Sequence, residues 1–150
     1  MRSTGHTLIE LVTVIVVIGV LSAWAVPRFF DRAGYDARGY RDQLAATARY
    51  GRQLAISANC PVRLSVTGAS FALTRPASVC DSSSFGASVT RPGGGNFAAS
   101  TPDSVVLTGV PLTVTFQSSG ATDLGADTSI SVGGYALTFI AASGLVQASP

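Results

Sequence analysis

The sequence contains no lysine, a single histidine (His6), one methionine and one tryptophan, and only 12% of its residues are charged. Without lysine there is no amine nucleophile, and one histidine near the start of the chain leaves the many serines and threonines without an imidazole base. Two cysteines with that one histidine make no zinc-ligating set. The scattered aspartates fall at no spacing that pairs an acid with a base. RPGGGN, Arg91 to Asn96, is rich in glycine, but no Lys-Ser or Lys-Thr follows, so it is not a phosphate loop. Neither enzyme activity nor a cofactor nor a metal is expected. All ten basic residues are Arg, and a formal net charge of +2 does not argue for nucleic acid. Arg28, Arg32, Arg38, Arg41, Arg49 and Arg52 outnumber Asp31, Asp36 and Asp42 in their segment, which reads as a solvated helix face.

What is present in excess is apolar: 47% of residues are hydrophobic and mean hydropathy is +0.39. The excess is concentrated between Thr7 and Val26, TLIELVTVIVVIGVLSAWAV, where Glu10 is the only formal charge. A helix of about 20 residues spans roughly 30 Å, the thickness of a bilayer's hydrocarbon core. The segment reads as a membrane or targeting helix. Pro27 removes a donor from the helical ladder, so a kink is expected there, with Gly19 as a second weak point.

The remainder has room for one compact domain. From Tyr35 to Ala58, residues Ala37, Tyr40, Leu44, Ala48, Gly51, Leu54, Ala55 and Ala58 recur at spacings of three and four, one apolar stripe facing a core. Pro61 marks its stop. Beyond it the period changes to two: VRLSV and FALTR flank a TGAS turn, LTVTF repeats the pattern at Leu112 to Phe116, and TSISV and YALTFIA flank Gly133-Gly134, a two-residue hairpin signal. SVVL, Ser104 to Leu107, reads as a further strand and RPGGGN as a loop. The organisation is a polar leader (1–5), an apolar helix (6–26) and a head (27–150) whose amphipathic helix runs to about residue 58 before a β-domain. The fold class is α+β.

Cys60 and Cys80 can close a loop, which in an oxidising compartment stabilises by about 3 kcal/mol, or can remain two buried thiols.

Glu10 needs an explanation. A charged residue at the centre of a membrane helix costs about 2.5 to 3.5 kcal/mol, less near an end, and no Lys, Arg or second acid lies between Thr7 and Val26 to offset it. Cleavage after Gly5 would create an α-amine on His6, about one helical turn from Glu10. Copies staggered along an axis could then pair amine with carboxylate between chains, making Glu10 an assembly device. The missing side chain of Gly5 suits close approach by a protease.

The run Gly5-His6-Thr7-Leu8-Ile9-Glu10-Leu11, the apolar stretch after it and Pro27 resemble the class III signal of type IV pilins and type II secretion pseudopilins. The resemblance implies cleavage after Gly5 by a prepilin peptidase, N-methylation of His6 where the family usually has Phe, and a guiding role in assembly for Glu10. Arg28-Phe29-Phe30-Asp31, the helix to Ala58, VTFQSSGATDLG and SGLV narrow it to minor pilins and pseudopilins of the GspH/FimT type. TLIELVTVIVVIGVLSAWAVPRFFDR with YDARGYRDQ is especially similar to minor pilins of the mannose-sensitive haemagglutinin pilus. The implied fold is a long N-terminal helix, membrane-embedded in its first half, packed on a small antiparallel β-domain. The implied function is a minor subunit of a type IV-like pilus or secretion pseudopilus, acting in initiation or at the tip. Its partners are other pilin or pseudopilin subunits, the prepilin peptidase and an inner-membrane assembly platform. Some relatives bind DNA through basic residues near the C-terminus, but no Arg follows Arg91, so nucleic acid is not an expected partner.

Three other readings compete. Ala23-Trp24-Ala25 after basic Arg2 fits an ordinary secretory signal, but leaves Glu10 without use in a run long for a signal. An uncut single-span anchor is the second. The third is a binding module shown on a filament, with the loops from Ala77 to Ser104 as its surface. Arg28 and Arg32 after the span against Arg2 before it would hold the head in the cytoplasm under the positive-inside rule. Long C-terminal domains cross largely regardless of such charges, and the paired cysteines favour the outside, so the expected location is the bacterial inner membrane, single-pass, with a periplasmic head that later joins the filament.

Overall fold

Leu8 to Phe29 form the first helix, α1, although the run Val12 to Ile18 is made largely of β-branched residues that are weak helix formers. The computed structural model describes residues 7–29, 32–80 and 84–149. The chain divides into two compact units, 1–32 and 33–150. In the first, the Thr7 carbonyl accepts the Glu10 and Leu11 amides at 3.0 and 3.3 Å, which starts α1. Glu10 lies in its first turn, where the helix dipole favours an acid. The element continues past Gly19 and Pro27.

The second helix, α2, runs from Arg32 to Ala58, starting three positions before the periodic pattern does. Ala37, Tyr40, Leu44, Ala48, Gly51 and Ala55 are buried as the spacing predicts, joined by Ala45 and Thr47. Leu54 is half-buried and Ala58 is exposed, because the stripe runs out at the helix end. There the Cys60 amide donates to the Ala55 carbonyl at 3.1 Å and the Asn59 amide to Ile56 at 3.3 Å, with Asn59 at a φ of 49°. This left-handed cap satisfies two terminal carbonyls, and Pro61 prevents continuation.

Nine strands follow among the described residues: β1 (Val62–Val66), β2 (Ser70–Arg75), β3 (Ala87–Ser88), β4 (Ala98–Ser100), β5 (Leu107–Thr108), β6 (Leu112–Phe116), β7 (Thr128–Val132), β8 (Tyr135–Phe139) and β9 (Val146–Ala148). One sheet has the order β3-β2-β1-β6, with β4 also on β2; the other has the order β5-β7-β8-β9, and every pairing is antiparallel. Gly133 and Gly134, at φ of 57° and 92°, make the two-residue turn between β7 and β8 that the sequence signals. The expected strand at 104–107 forms only at its end. The Val105 amide turns back to the Pro102 carbonyl at 2.9 Å, and pairing begins at Leu107.

Alternation places Leu64, Phe71, Leu73, Val114 and Phe116 of the first sheet and Ile130, Leu137 and Phe139 of the second in one core with Leu44 and Ala48 of α2. The helix lies so close to the first sheet at Gly51 that an added Cβ would stand 2.8 Å from Leu73 Cδ1. The outer edge of β6 is closed by a side chain standing in for a strand. The Thr115 amide donates to Asp123 Oδ1 at 2.7 Å, and the Asp123 amide returns a bond to the Thr115 carbonyl at 3.0 Å.

Candidate assembly site

Thr7 and every described α1 side chain, Leu8 through Ser22, are exposed. Leu8 is 81% accessible and Val12, the least exposed large one, 44%. Over its described part this helix exposes apolar side chains on all sides, far more than the surface of a folded domain usually carries. Among the described residues the Glu10 carboxylate has no hydrogen-bond or ion-pair partner. Thr13 is internally satisfied, its hydroxyl donating to the Glu10 carbonyl at 2.9 Å. A Cβ built on Gly19 would meet nothing within 4 Å. Gly5 and His6, the expected cleavage and methylation positions, lie outside the described residues. Among the described residues no helix is long and apolar enough to cross a membrane; the described side chains of α1 end at Ser22, short of the span expected from sequence.

In the second unit the arginines of α2 correct the expectation of a simply solvated face. Arg41 Nη1 donates to the Ser149 carbonyl at 2.9 Å, Arg49 Nε and Nη2 to Val146 at 3.3 and 3.1 Å, and Arg52 Nε to both Gly120 and Ser143 at 3.2 and 2.7 Å. Arg38 Nε donates to the Tyr135 hydroxyl at 2.8 Å, and the guanidinium carbons of Arg38 and Arg41 lie 5.2 and 5.1 Å from that ring's centroid. Planar guanidinium forks, at spacings that keep them on one side of α2, thus hold the C-terminal sheet and its loops to the helix. Gly144 belongs to this seam. Its φ is 63°, and a Cβ there would overlap the Gly120 carbonyl oxygen.

Cys60 and Cys80 form a disulfide with Cα atoms 4.9 Å apart. It fastens the chain just after α2 to the segment beyond β2. Close by in sequence, the Arg63 guanidinium lies 3.8 Å from the centroid of the Phe85 ring. Tyr40, buried in α2, shares a 2.9 Å hydrogen bond with the Thr101 hydroxyl; burial pushes its phenol pKa up, and that bond offsets the shift in part. Among the described residues no group of three or more His, Cys, Asp or Glu is placed to hold a metal ion.

No family model matches the chain. Over 49 residues, a third of its length, it is 51% identical to the type IV narrow pilus major component PilA5 of Thermus thermophilus, and this match covers 42% of that protein. The fold is that of the type IV minor pilin FimU of Pseudomonas aeruginosa. One crystal form superposes with a TM-score of 0.57 at 14% identity over 81% of this chain and 92% of FimU. A second form gives 0.53 at 16% identity over 75% of this chain and 92% of FimU. A helix packed on antiparallel sheets is thus the pilin fold, as the sequence implies. The chain thus matches a pilus component over a third of its length and shares the fold of a type IV minor pilin.

Proposed function

We propose that this protein is a minor subunit of a type IV-like pilus or of a type II secretion pseudopilus, of the GspH/FimT kind, acting at the tip or in initiation. The observation that carries the reading is α1: an apolar helix with no partner on any described side and one unpaired acid in its first turn. A β-branched run is a weak helix former in water, whereas in hydrocarbon the backbone has no alternative partners and helix is favoured. Before assembly α1 lies in the inner membrane; afterwards it lies among the helices of neighbouring subunits. In both places its exposed stripe is covered.

Prepilin peptidase cuts after Gly5, and the new terminus on His6 is N-methylated. Glu10 then neutralises the amine of an adjoining subunit and sets register, since an unpaired buried charge of either sign is costly. Gly19, with open space around its Cα, lets a neighbouring helix approach, and Pro27 bends the segment leaving the membrane. The Cys60–Cys80 disulfide supports a periplasmic head. Partners in this account are other pilin or pseudopilin subunits, the peptidase and an inner-membrane assembly platform.

The test compares wild type and Glu10→Ala in sheared surface filaments and in the membrane fraction. Membrane levels should be equal, while incorporation of the variant falls at least about tenfold, as loss of a buried charge partner implies. Equal incorporation would overturn the pairing role.

A further inference from the structure

A cleft of about 210 Å³ lies in the head between α2 and the far end of the first sheet, lined by Tyr50, Leu54, Arg75, Ser88, Val89 and Thr90. Strand alternation places Arg75 on the face of β2 that carries buried Phe71 and Leu73, one step beyond the core. Its guanidinium therefore stands where the apolar interior gives way to the cleft. Among the described residues Arg75 has no hydrogen-bond, ion-pair or ring partner, unlike Arg38, Arg41, Arg49, Arg52 and Arg63. Tyr50 is held by stacking on Phe97, with centroids 4.4 Å apart and planes at 25°, yet its hydroxyl also has no hydrogen-bond partner among the described residues. Leu54 and Val89 supply apolar wall, and Ser88 and Thr90 border the opening.

We infer that this cleft binds the carboxylate end of a small hydroxylated ligand, an acidic monosaccharide unit such as a hexuronate. A free planar guanidinium matches a carboxylate through two parallel hydrogen bonds. The Tyr50 hydroxyl both donates to and accepts from a sugar hydroxyl, and the apolar wall meets the C–H face of a ring. The volume lies below the roughly 300 to 1,000 Å³ of pockets for drug-sized ligands, which limits the occupant to about one ring. The site lies in the head and is independent of filament entry, so its failure leaves the assembly reading untouched.

The test is a ¹H–¹⁵N NMR titration of the full chain in detergent micelles with sodium glucuronate, glucose and sodium acetate. Glucuronate should shift the Arg75 side-chain resonance and the Ser88, Val89 and Thr90 amides saturably. Glucose and acetate should each bind at least about tenfold more weakly, as loss of one charge-assisted bond or of the ring contacts implies. Arg75→Gln, at an exposed position, should weaken glucuronate binding by a similar factor while leaving the rest of the spectrum in place, and Tyr50→Phe should weaken it to a smaller degree. Acetate binding as tightly as glucuronate, no saturable shift at these residues, or an unaltered affinity in Arg75→Gln would each overturn the assignment.

Discussion

Arg49 donates from Nε and Nη2 to the Val146 carbonyl, at 3.3 and 3.1 Å, across 97 positions of sequence. On either side of β9 the Leu145 carbonyl accepts from the Ile140 amide and the Ser149 amide donates to the Ala136 carbonyl, so the backbone groups of the odd-numbered residues face β8. Val146 faces the other way, toward the unpaired edge, and the guanidinium occupies that edge. Arg49→Ala should therefore lower stability by about 1 kcal/mol, a fall in Tm of roughly 2 to 4 °C for a chain of this size. Arg49→Lys should recover only part of the loss, because a point charge cannot offer the same fork. Thermal unfolding followed by circular dichroism reads both.

At Gly51 α2 packs so near the first sheet that a Cβ would crowd Leu73. A leucine there improves helix propensity, but must displace Leu73 and press on Phe116, both almost fully buried. Overpacking should win, so Gly51→Leu destabilises by about 1 to 3 kcal/mol in denaturant unfolding.

Reduction of the Cys60–Cys80 bridge should lower stability by about 3 kcal/mol, since it frees a loop closed over a sequence separation of 20. The double variant Cys60→Ser, Cys80→Ser should match the reduced protein in denaturant unfolding and be insensitive to reductant.

Tyr40 gives a pH dependence. Burial raises its pKa in the folded state above the value near 10 of an exposed phenol. The folded chain then holds this proton in a range where the unfolded chain has released it. The contribution to stability is complete below about pH 10 and is lost as pH rises above it. In Tyr40→Phe this part of the alkaline decline should vanish. Unfolding free energies across that pH range, compared between the two proteins, measure the difference.

Much of this fold is legible in the sequence because alternation and helical spacing report burial directly. Leu64, Phe71, Val114, Ile130 and Leu137 lie on core faces for the same reason that they recur at a period of two. β3, β4 and β9 escape that reasoning, being two or three residues long and built largely from Ala, Ser and Gln. The arginine contacts escape it for a different reason. The acceptors of Arg41, Arg49 and Arg52 are backbone carbonyls 68 to 108 positions away, and a carbonyl carries no side-chain signal. Arg75 beside Tyr50 is likewise a product of topology, with no local spacing to announce it. Glu10 is the opposite case: one charge in an apolar run is visible in the sequence, and its geometry adds that nothing described in its own chain answers it.

The most direct test of the central claim is the intact mass of the N-terminal peptide from subunits recovered in sheared filaments. The account predicts a chain beginning at His6, with or without a methyl group, so that an amine is available to the carboxylate of a neighbour. Filament-borne chains that still begin at Met1 would contradict it.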